Sequence, residues 1–491
     1  MNKKTKIVLF SILFLAFFLR VYEFKNFYIF SHDQDLASWI IKDILINGHL
    51  RLIGQETSSH GVFIGGLFYY LQIPFYLLGQ MNPVTSIFLP VILGVFATFS
   101  SFFVVSKIVN LKTGLVASFI YAASALIVFT DREVVPTMPV MLWSIWYLYS
   151  LYLIYKTKQL EGFILWGFLL GLVWHFNLAL IILSPLILIA LLYSKEKINL
   201  KNLILGLVVL FITSLPLLIF EYRHDFSQSK AIFLSLTSNK DYIENTARGF
   251  AKLDRVMQLV NRNSINLFSK VHFIRPSIVL WTMIVIFIYL VKSKKIPNFL
   301  TAIIIVWQLT YILFFSKISL NVSEYYFNGM NIIWILIVSM GLDELLKTKK
   351  KSYIFYGLIG LFLISNIYYV VNYNSDRKGY VEKIALVREI KKDSEKNGYP
   401  CISISYITSP GYDMGYRYLY WLEKMHVNKP SSLSPVYTIV FPHSLVNQID
   451  KSFGSLGLIY PDYKRYNESG VSLSCQGQNA NLTDPMFGYT E

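Results

Sequence analysis

The stretch Gly162-Phe-Ile-Leu-Trp-Gly-Phe-Leu-Leu-Gly-Leu-Val-Trp-His175-Phe-Asn177-Leu-Ala-Leu-Ile-Ile-Leu-Ser-Pro-Leu-Ile-Leu-Ile-Ala-Leu-Leu-Tyr193 contains no Asp, Glu, Lys or Arg. As one helix it would run about 48 Å, well beyond the roughly 30 Å of a bilayer's hydrocarbon layer. It reads instead as two membrane spans that turn near His175 to Asn177. Apolar runs of about 16 to 22 residues recur up to about residue 372, each long enough to cross as a helix. The 491 residues are 54% hydrophobic and 15% charged, against roughly 25% charged in soluble globular proteins. These features imply a polytopic membrane protein and exclude a soluble fold with an unusually apolar core.

The positions of the lysines set the expected topology. The basic start, Met1-Asn-Lys-Lys-Thr-Lys, should be cytoplasmic, and the run Ile7 to Val21 carries the chain out. A signal peptide is the rival reading, but no clear small-x-small cleavage site precedes Arg20. The basic links Lys107 to Lys112, Lys156 to Lys158, Lys195 to Lys201, Lys292 to Lys295 and Lys347 to Lys351 are all inside under one count. That count needs Gly162 to Tyr193 to cross twice, and Val62 to Gly79 to lie in the outer interface or re-enter. About eleven spans result: 7–22, 84–105, 113–130, 136–155, 162–176, 178–193, 202–220, 276–291, 297–316, 326–346 and 352–371. The expected fold is an all-α polytopic domain, residues 1–372, with interfacial helices in its outer loops 23–83 and 221–275. A small soluble α/β domain outside the membrane, 373–491, follows it. The net charge of +16 carries no nucleic-acid signature, since most lysine clusters sit in those links. The outer stretch Glu221 to Arg275 breaks the pattern with Arg248, Lys252, Arg255, Arg262 and Lys270. It reads as a solvated helix face or as a basic amphipathic helix that holds lipid phosphates.

Under this topology the ionisable residues next to the membrane gather on one side. After the first span comes Phe30-Ser-His-Asp33-Gln-Asp35, followed by an amphipathic stretch. Asp131-Arg132-Glu133 lies at the exit of the third span, and Phe220-Glu221-Tyr-Arg223-His224-Asp225 at the exit of the seventh. His175 and Asn177 belong to the turn between the fifth and sixth spans, and Glu324-Tyr325-Tyr326 begins the tenth. Each has a plain structural role as well. Asp33 or Asp35 can cap a helix, Asp131 and Glu133 can bond Arg132, Glu221 to Asp225 can form a closed salt-bridge knot, and His175 can be a packing residue. Their convergence on one side raises the functional reading of all of them.

The C-terminal part offers less chemistry. Cys401-Ile-Ser-Ile-Ser-Tyr-Ile alternates as a half-buried strand does. Cys401 and Cys475, the only cysteines, leave one disulfide or two free thiols open. Asn321-Val-Ser, Asn467-Glu-Ser and Asn481-Leu-Thr are glycosylation sequons. This domain is expected to act as a lid facing the acceptor or a partner.

The order of these features resembles the GT-C fold of polyprenyl-phosphate-sugar-dependent glycosyltransferases, nearest the protein O-mannosyltransferase and aminoarabinose-transferase (ArnT-like) group. The resemblance rests on several stretches taken in order. They are Asp33-Gln-Asp35 with Lys42-Asp-Ile-Leu-Ile-Asn-Gly48, then Gly66-Leu-Phe-Tyr69-Tyr70-Leu-Gln-Ile-Pro74, then Asp131-Arg-Glu-Val-Val-Pro136. Gly167 and Gly171 ahead of His175 follow, and Phe220-Glu221-Tyr-Arg223-His224 closes the module. It covers approximately residues 7 to 346. Where aminoarabinose transferases carry an acidic-Lys-Pro-Pro element this chain has Ser58-Ser59-His60-Gly61, and where an Arg-Tyr pair is common it has Glu324-Tyr325-Tyr326.

The resemblance implies an enzyme of the plasma membrane that moves a sugar from a polyprenyl-phosphate donor to a hydroxyl of a protein, lipid or glycan, with inversion. Asp33 would be the base, with Asp35 as fallback. Arg132, Arg223 and His224 would meet the departing phosphate. Asp131, Glu133, His175, Glu221 and Tyr325 would complete the substrate site. A divalent cation such as Mg or Mn could be shared by Asp33, Asp131 and Glu133. A transporter or flippase of a lipid-linked saccharide is the main alternative, and a membrane-anchored binding module the third. Transporters often show paired repeats and charges at mid-membrane, whereas this chain shows no repeat and its charges gather at one surface.

Overall fold

The computed structural model describes residues 2–57, 59–237, 250–270, 276–318, 322–373 and 377–483. The chain runs through helices α1 (Lys3–Val21) and α2 (His32–Asn47), a two-stranded hairpin of β1 (Ile53–Glu56) and β2 (Phe63–Gly65), and α3 (Leu67–Leu78). Then come α4 (Phe88–Ile108), α5 (Leu111–Ala123), α6 (Ala125–Thr130), α7 (Val140–Tyr155), α8 (Gln159–Phe176), α9 (Leu186–Tyr193) and α10 (Leu200–Arg223). The helical part is completed by α11 (Ser227–Thr237), α12 (Phe250–Phe268), α13 (Pro276–Lys292), α14 (Asn298–Lys317), α15 (Asn331–Leu345) and α16 (Lys349–Val371). Among the described residues, six helical segments are long and apolar enough to cross a membrane: Pro83–Ile108, Gln159–Phe176, Leu200–Arg223, Asn298–Lys317, Glu324–Leu345 and Lys349–Val371.

The first expected span, α1, has 19 residues but carries Lys3, Lys4, Lys6 and Arg20; other expected spans are helical but shorter or broken. Ser124 interrupts the third between α5 and α6, where its backbone turns extended. The interruption is held by side chains: Asn366 of α16 accepts from the Ala125 N–H at 2.7 Å and donates to the Phe268 carbonyl at 2.8 Å. Residues 178–193 begin as a 3-10 turn, Leu178–Leu183, before α9. The 12 residues of α3 span about 18 Å, too little to cross.

Glycine sets the tightest helix contact. A Cβ on Gly167 of α8 would come 1.9 Å from the Gly206 carbonyl of α10, and one on Gly171 would come 1.7 Å from Thr213 Oγ1. Small residues let helices approach where lipid offers no hydrophobic drive to associate.

The basic links collect at one end of the bundle. Tyr152 donates to the Lys107 carbonyl at 2.9 Å, Gln159 to the Lys197 carbonyl at 2.9 Å, and Glu344 pairs with Lys295 and Lys347. Asn110 and Thr113 reach Asp343 at the same end. The acidic loops and the C-terminal sheet occupy the other end.

That sheet follows α17 (Tyr380–Lys396) and has the order β4-β3-β5-β7-β6. Its strands are β3 (Ile402–Thr408), β4 (Val427–Asn428), β5 (Val436–Phe441), β6 (Lys451–Phe453) and β7 (Leu456–Ile459), with α18 (Arg417–Leu422) between β3 and β4. β3 lies parallel to β4 and β5, and β7 is antiparallel to β5 and β6. Cys401 and Cys475 are disulfide-bonded, which resolves the open choice at those positions. Asn481 is buried and donates to the Arg417 carbonyl, so its sequon is closed in the folded chain. Asn467 is exposed. Asn321, Arg248 and Ser58 lie outside the described residues.

The sheet domain packs directly on the helical part. Its Ile384, Leu386, Tyr416, Tyr418 and Leu419 join Ile41, Phe68, Tyr69, Tyr76 and Ile87 of the helical part in one buried apolar cluster.

Candidate functional site

Helix α2 starts with a reciprocal cap. Ser31 receives the side chain of Gln34 on its backbone N–H at 3.0 Å, which satisfies a donor the first helical turn leaves over. Gln34 then spends its amide nitrogen on the Val134 carbonyl at 3.0 Å. This bond ties the first turn of α2 to the loop after α6, and the residue preceding each partner is acidic: Asp33 on one side, Glu133 on the other. Asp33 is half-buried, and among the described residues its carboxylate makes no hydrogen bond or ion pair. It faces Tyr69, whose phenol burial pushes to a high pKa and the Asp33 charge pushes further. The Tyr69 oxygen accepts from the Gln55 N–H at 2.9 Å, which fixes the hairpin against α3.

Glu133 belongs to a charged group. It is exposed on one side, yet the surrounding protein raises its pKa, and Lys270 opposes the rise. Burial lowers the pKa of Lys270; Glu324 and Glu133 counter this, and Arg262 adds to it. Arg262 and Glu324 are themselves paired at 3.0 Å. Four side chains from the α6 loop, from α12 and its end, and from the segment before α15 thus form an alternating set at the end that carries Asp33. In the sequence Lys270 and Arg262 were legible only as parts of a basic helix, because the residues that complete the set are distant along the chain.

Several of the remaining expected site residues have structural partners. Asp35 is fully buried and accepts from the Tyr418 N–H at 2.8 Å, so it turns away from Asp33 into the sheet domain. Asp131 is paired with Arg20 at 2.6 Å, both buried, and Gly94 leaves them room. Arg132 donates to the carbonyls of Leu19 and Tyr22 and lies over Phe27, fastening the end of α1. Its guanidinium is buried there, with Nε and Nη1 lacking a hydrogen-bond partner among the described residues.

His175 donates through Nε2 to the Thr213 carbonyl at 3.1 Å, and Gly65 packs directly on its ring. Glu221 accepts from the N–H groups of Gln228 and Ser229 at 3.1 and 2.9 Å, acting as the cap of α11. Gln228 in turn accepts from the Phe63 N–H. Arg223 is exposed, and His224 stacks on Phe220 at 4.1 Å. Tyr325 is partly exposed beside Tyr326.

The expected metal set of Asp33, Asp131 and Glu133 is not assembled, since Arg20 holds Asp131. Among the described residues no three His, Cys, Asp or Glu side chains come together to hold an ion.

Solved structures share this arrangement of helices, loops and sheet. ArnT from Cupriavidus metallidurans bound to undecaprenyl phosphate matches at TM-score 0.53 and 8% identity, over 95% of this chain and 100% of that one. The same protein in the apo state matches at 0.58 and 7%, over 94% and 98%. The fold is GT-C. The Archaeoglobus fulgidus oligosaccharyltransferase in complex with Zn and sulfate matches at 0.53 and 15%, over 86% of this chain and 62% of that one. No family model and no curated protein sequence matches the chain. In this chain the loop that follows α1 carries α2 and Asp33.

Proposed function

We propose that this chain is an integral membrane glycosyltransferase that moves a sugar from a polyprenyl-phosphate donor to an acceptor hydroxyl, with inversion, at the outer face of the membrane. The observation that carries the reading is Asp33: a half-buried carboxylate without a hydrogen-bond partner among the described residues, on the first loop of a GT-C fold, in a helical turn that Gln34 ties to the Val134 carbonyl next to Glu133. The undecaprenyl phosphate bound by ArnT supports the class of donor. The collection of basic links at the opposite end supports a cytoplasmic N-terminus, about eleven crossings and an outer C-terminal domain 373–491.

In this reaction the acceptor oxygen attacks the anomeric carbon while its proton passes to the Asp33 carboxylate. The bond from that carbon to the phosphate oxygen breaks, and the polyprenyl phosphate leaves with the electron pair, going from a monoanion to a dianion. Lys270 and Arg262 are the cations placed to receive that charge, in place of Arg132. A dianion beside Lys270 would also restore the full charge that burial works against. Glu133 and Glu324 hold the two cations when no donor is present. Asp131, Arg132, His175 and Glu221 serve the scaffold that presents the base.

Transfer of radiolabelled sugar from a panel of polyprenyl-phosphate sugars, in membranes expressing the chain, tests the reading. Product should form with at least one donor and carry the anomeric configuration opposite to the donor's. Retained configuration would remove Asp33 as a simple base. Donor movement across the membrane without transfer would establish a flippase instead.

A further inference from the structure

Two residues apart on an α-helix point about 200° from each other, so whatever draws Asp35 inward turns Asp33 toward the open side. We propose that Asp35 is a positioning residue through which the C-terminal sheet domain sets the orientation of Asp33. The inference rests on the reading of Asp33 as the base.

The geometry around Asp35 is that of a lock between domains. Its Oδ1 accepts from the Tyr418 N–H at 2.8 Å, at the start of α18. Lys383 of α17 and Arg417 of α18 bring positive charge to it. Lys383 donates to the Met414 carbonyl at 2.8 Å and lies 4.3 Å over the Tyr416 ring, and the Asp413 charge also acts on it. Arg417 lies 4.4 Å over Trp39 of α2 and donates to the Asn481 carbonyl. The phenols of Tyr76, Tyr406, Tyr418 and Tyr420 complete the surroundings.

The chain just before Asp33 is held from the same domain. Tyr380 donates its N–H to the Tyr28 carbonyl at 3.0 Å, and a Cβ on Gly379 would come 2.8 Å from that oxygen. Gly415, at φ +85°, leaves no space between itself and Phe30 and Ser31. Tyr418 also donates to the Met81 carbonyl and Tyr380 to Asn82, both at the far end of α3. A buried carboxylate among cations is costly to desolvate. An apolar contact would hold the two domains together with less penalty but without fixing the rotation of α2, and fixing a register is the best attested use of such groups.

The test uses the full-length protein in lipid nanodiscs, with Asp35→Ala, Asp35→Asn and Lys383→Met. Two readouts are taken: kcat and KM with the donor that the wild type uses, and hydrogen exchange of amides 35–41, with those of 436–441 as a folding control. Asp35→Ala should lower kcat about 10- to 100-fold with KM within about twofold, as expected for a misoriented base. It should also speed exchange at 35–41 by about tenfold or more, leaving 436–441 protected. Asp35→Asn keeps the acceptor for Tyr418 and should lie between wild type and Asp35→Ala. If Asp35→Ala loosens 436–441 as well, Lys383→Met and Asp35→Asn decide by the same criteria. Unchanged exchange at 35–41 overturns the lock, and loosened exchange with unchanged kcat overturns the positioning role. If the wild type transfers no sugar, the reading of Asp33 fails separately, and exchange alone decides whether Asp35 holds the segment.

Discussion

Arg20 and Asp131 carry opposite charges at 2.6 Å with almost no exposure, and neither can lose its partner cheaply. Removing one member of a buried pair leaves a charge without compensation, at a cost of about 3–5 kcal/mol, whereas replacing both by apolar residues of similar volume is often neutral. Asp131→Asn should therefore lower the thermal midpoint of the detergent-solubilised protein sharply, and Arg20→Met with Asp131→Leu should recover most of the loss. A mild single variant would mean that the pair contributes little. At Asp35 the direction in pH is set by burial, which pushes the carboxyl up to about 7 against the pull of the Tyr418 N–H, Lys383 and Arg417. The folded state holds this proton where the unfolded chain has released it. The stability that Asp35 contributes is thus full below about pH 4 and lost as pH rises through about 7. The difference in midpoint between wild type and Asp35→Asn should shrink or reverse across that window; a difference independent of pH would contradict it. Neither role was legible in the sequence, because the groups that decide them lie over a hundred residues away. The position of Asp33 was legible, since its loop follows the first span; the cap was not, as Ser31 rather than Asp33 or Asp35 is the N-cap residue of α2.

Among the elements, the contact of α8 with α10 holds the site from below. Gly167 leaves no room for a side chain against the Gly206 carbonyl, and the same face of α8 leads to His175, on which Gly65 of the hairpin rests. Gly167→Leu should separate the helices and displace the hairpin and Tyr69. The expected result is a loss of about 1–3 kcal/mol in stability and a fall in sugar transfer, measured on the same preparation; wild-type behaviour in both would show that the packing is dispensable. The apolar helices were readable because length alone separates a span from a soluble core helix. The hairpin was not, since Ile53–Glu56 and Phe63–Gly65 are short and lack a clean alternation. The strand at Ile402–Thr408 was, because apolar and polar residues alternate from Ile402 to Tyr406, although the structure buries Ser403 along with Ile402 and Ile404. The charged set of Glu133, Lys270, Arg262 and Glu324 was readable one residue at a time but not as a set, as it joins three separate segments.

At the scale of the whole molecule, the basic links and the acidic loops lie at opposite ends, as a topology with the lysines in the cytoplasm requires. Single cysteines introduced at Lys350 and Ser469 distinguish the two faces. In intact cells a membrane-impermeant thiol reagent should label the cysteine at 469 and spare the one at 350, while the reverse pattern would invert the topology. The sheet domain shares a buried core with α2 and α3, so the acidic loop is held from above by the sheet and from below by the helical bundle. The central claim is that this held carboxylate is the base for sugar transfer. Asp33→Asn, purified at matched expression and assayed with the donor that the wild type uses, should lose about 10²- to 10⁴-fold in kcat with the protein still folded and the donor KM little changed. Activity within about twofold of wild type would contradict the account and send the search for the base to Glu133.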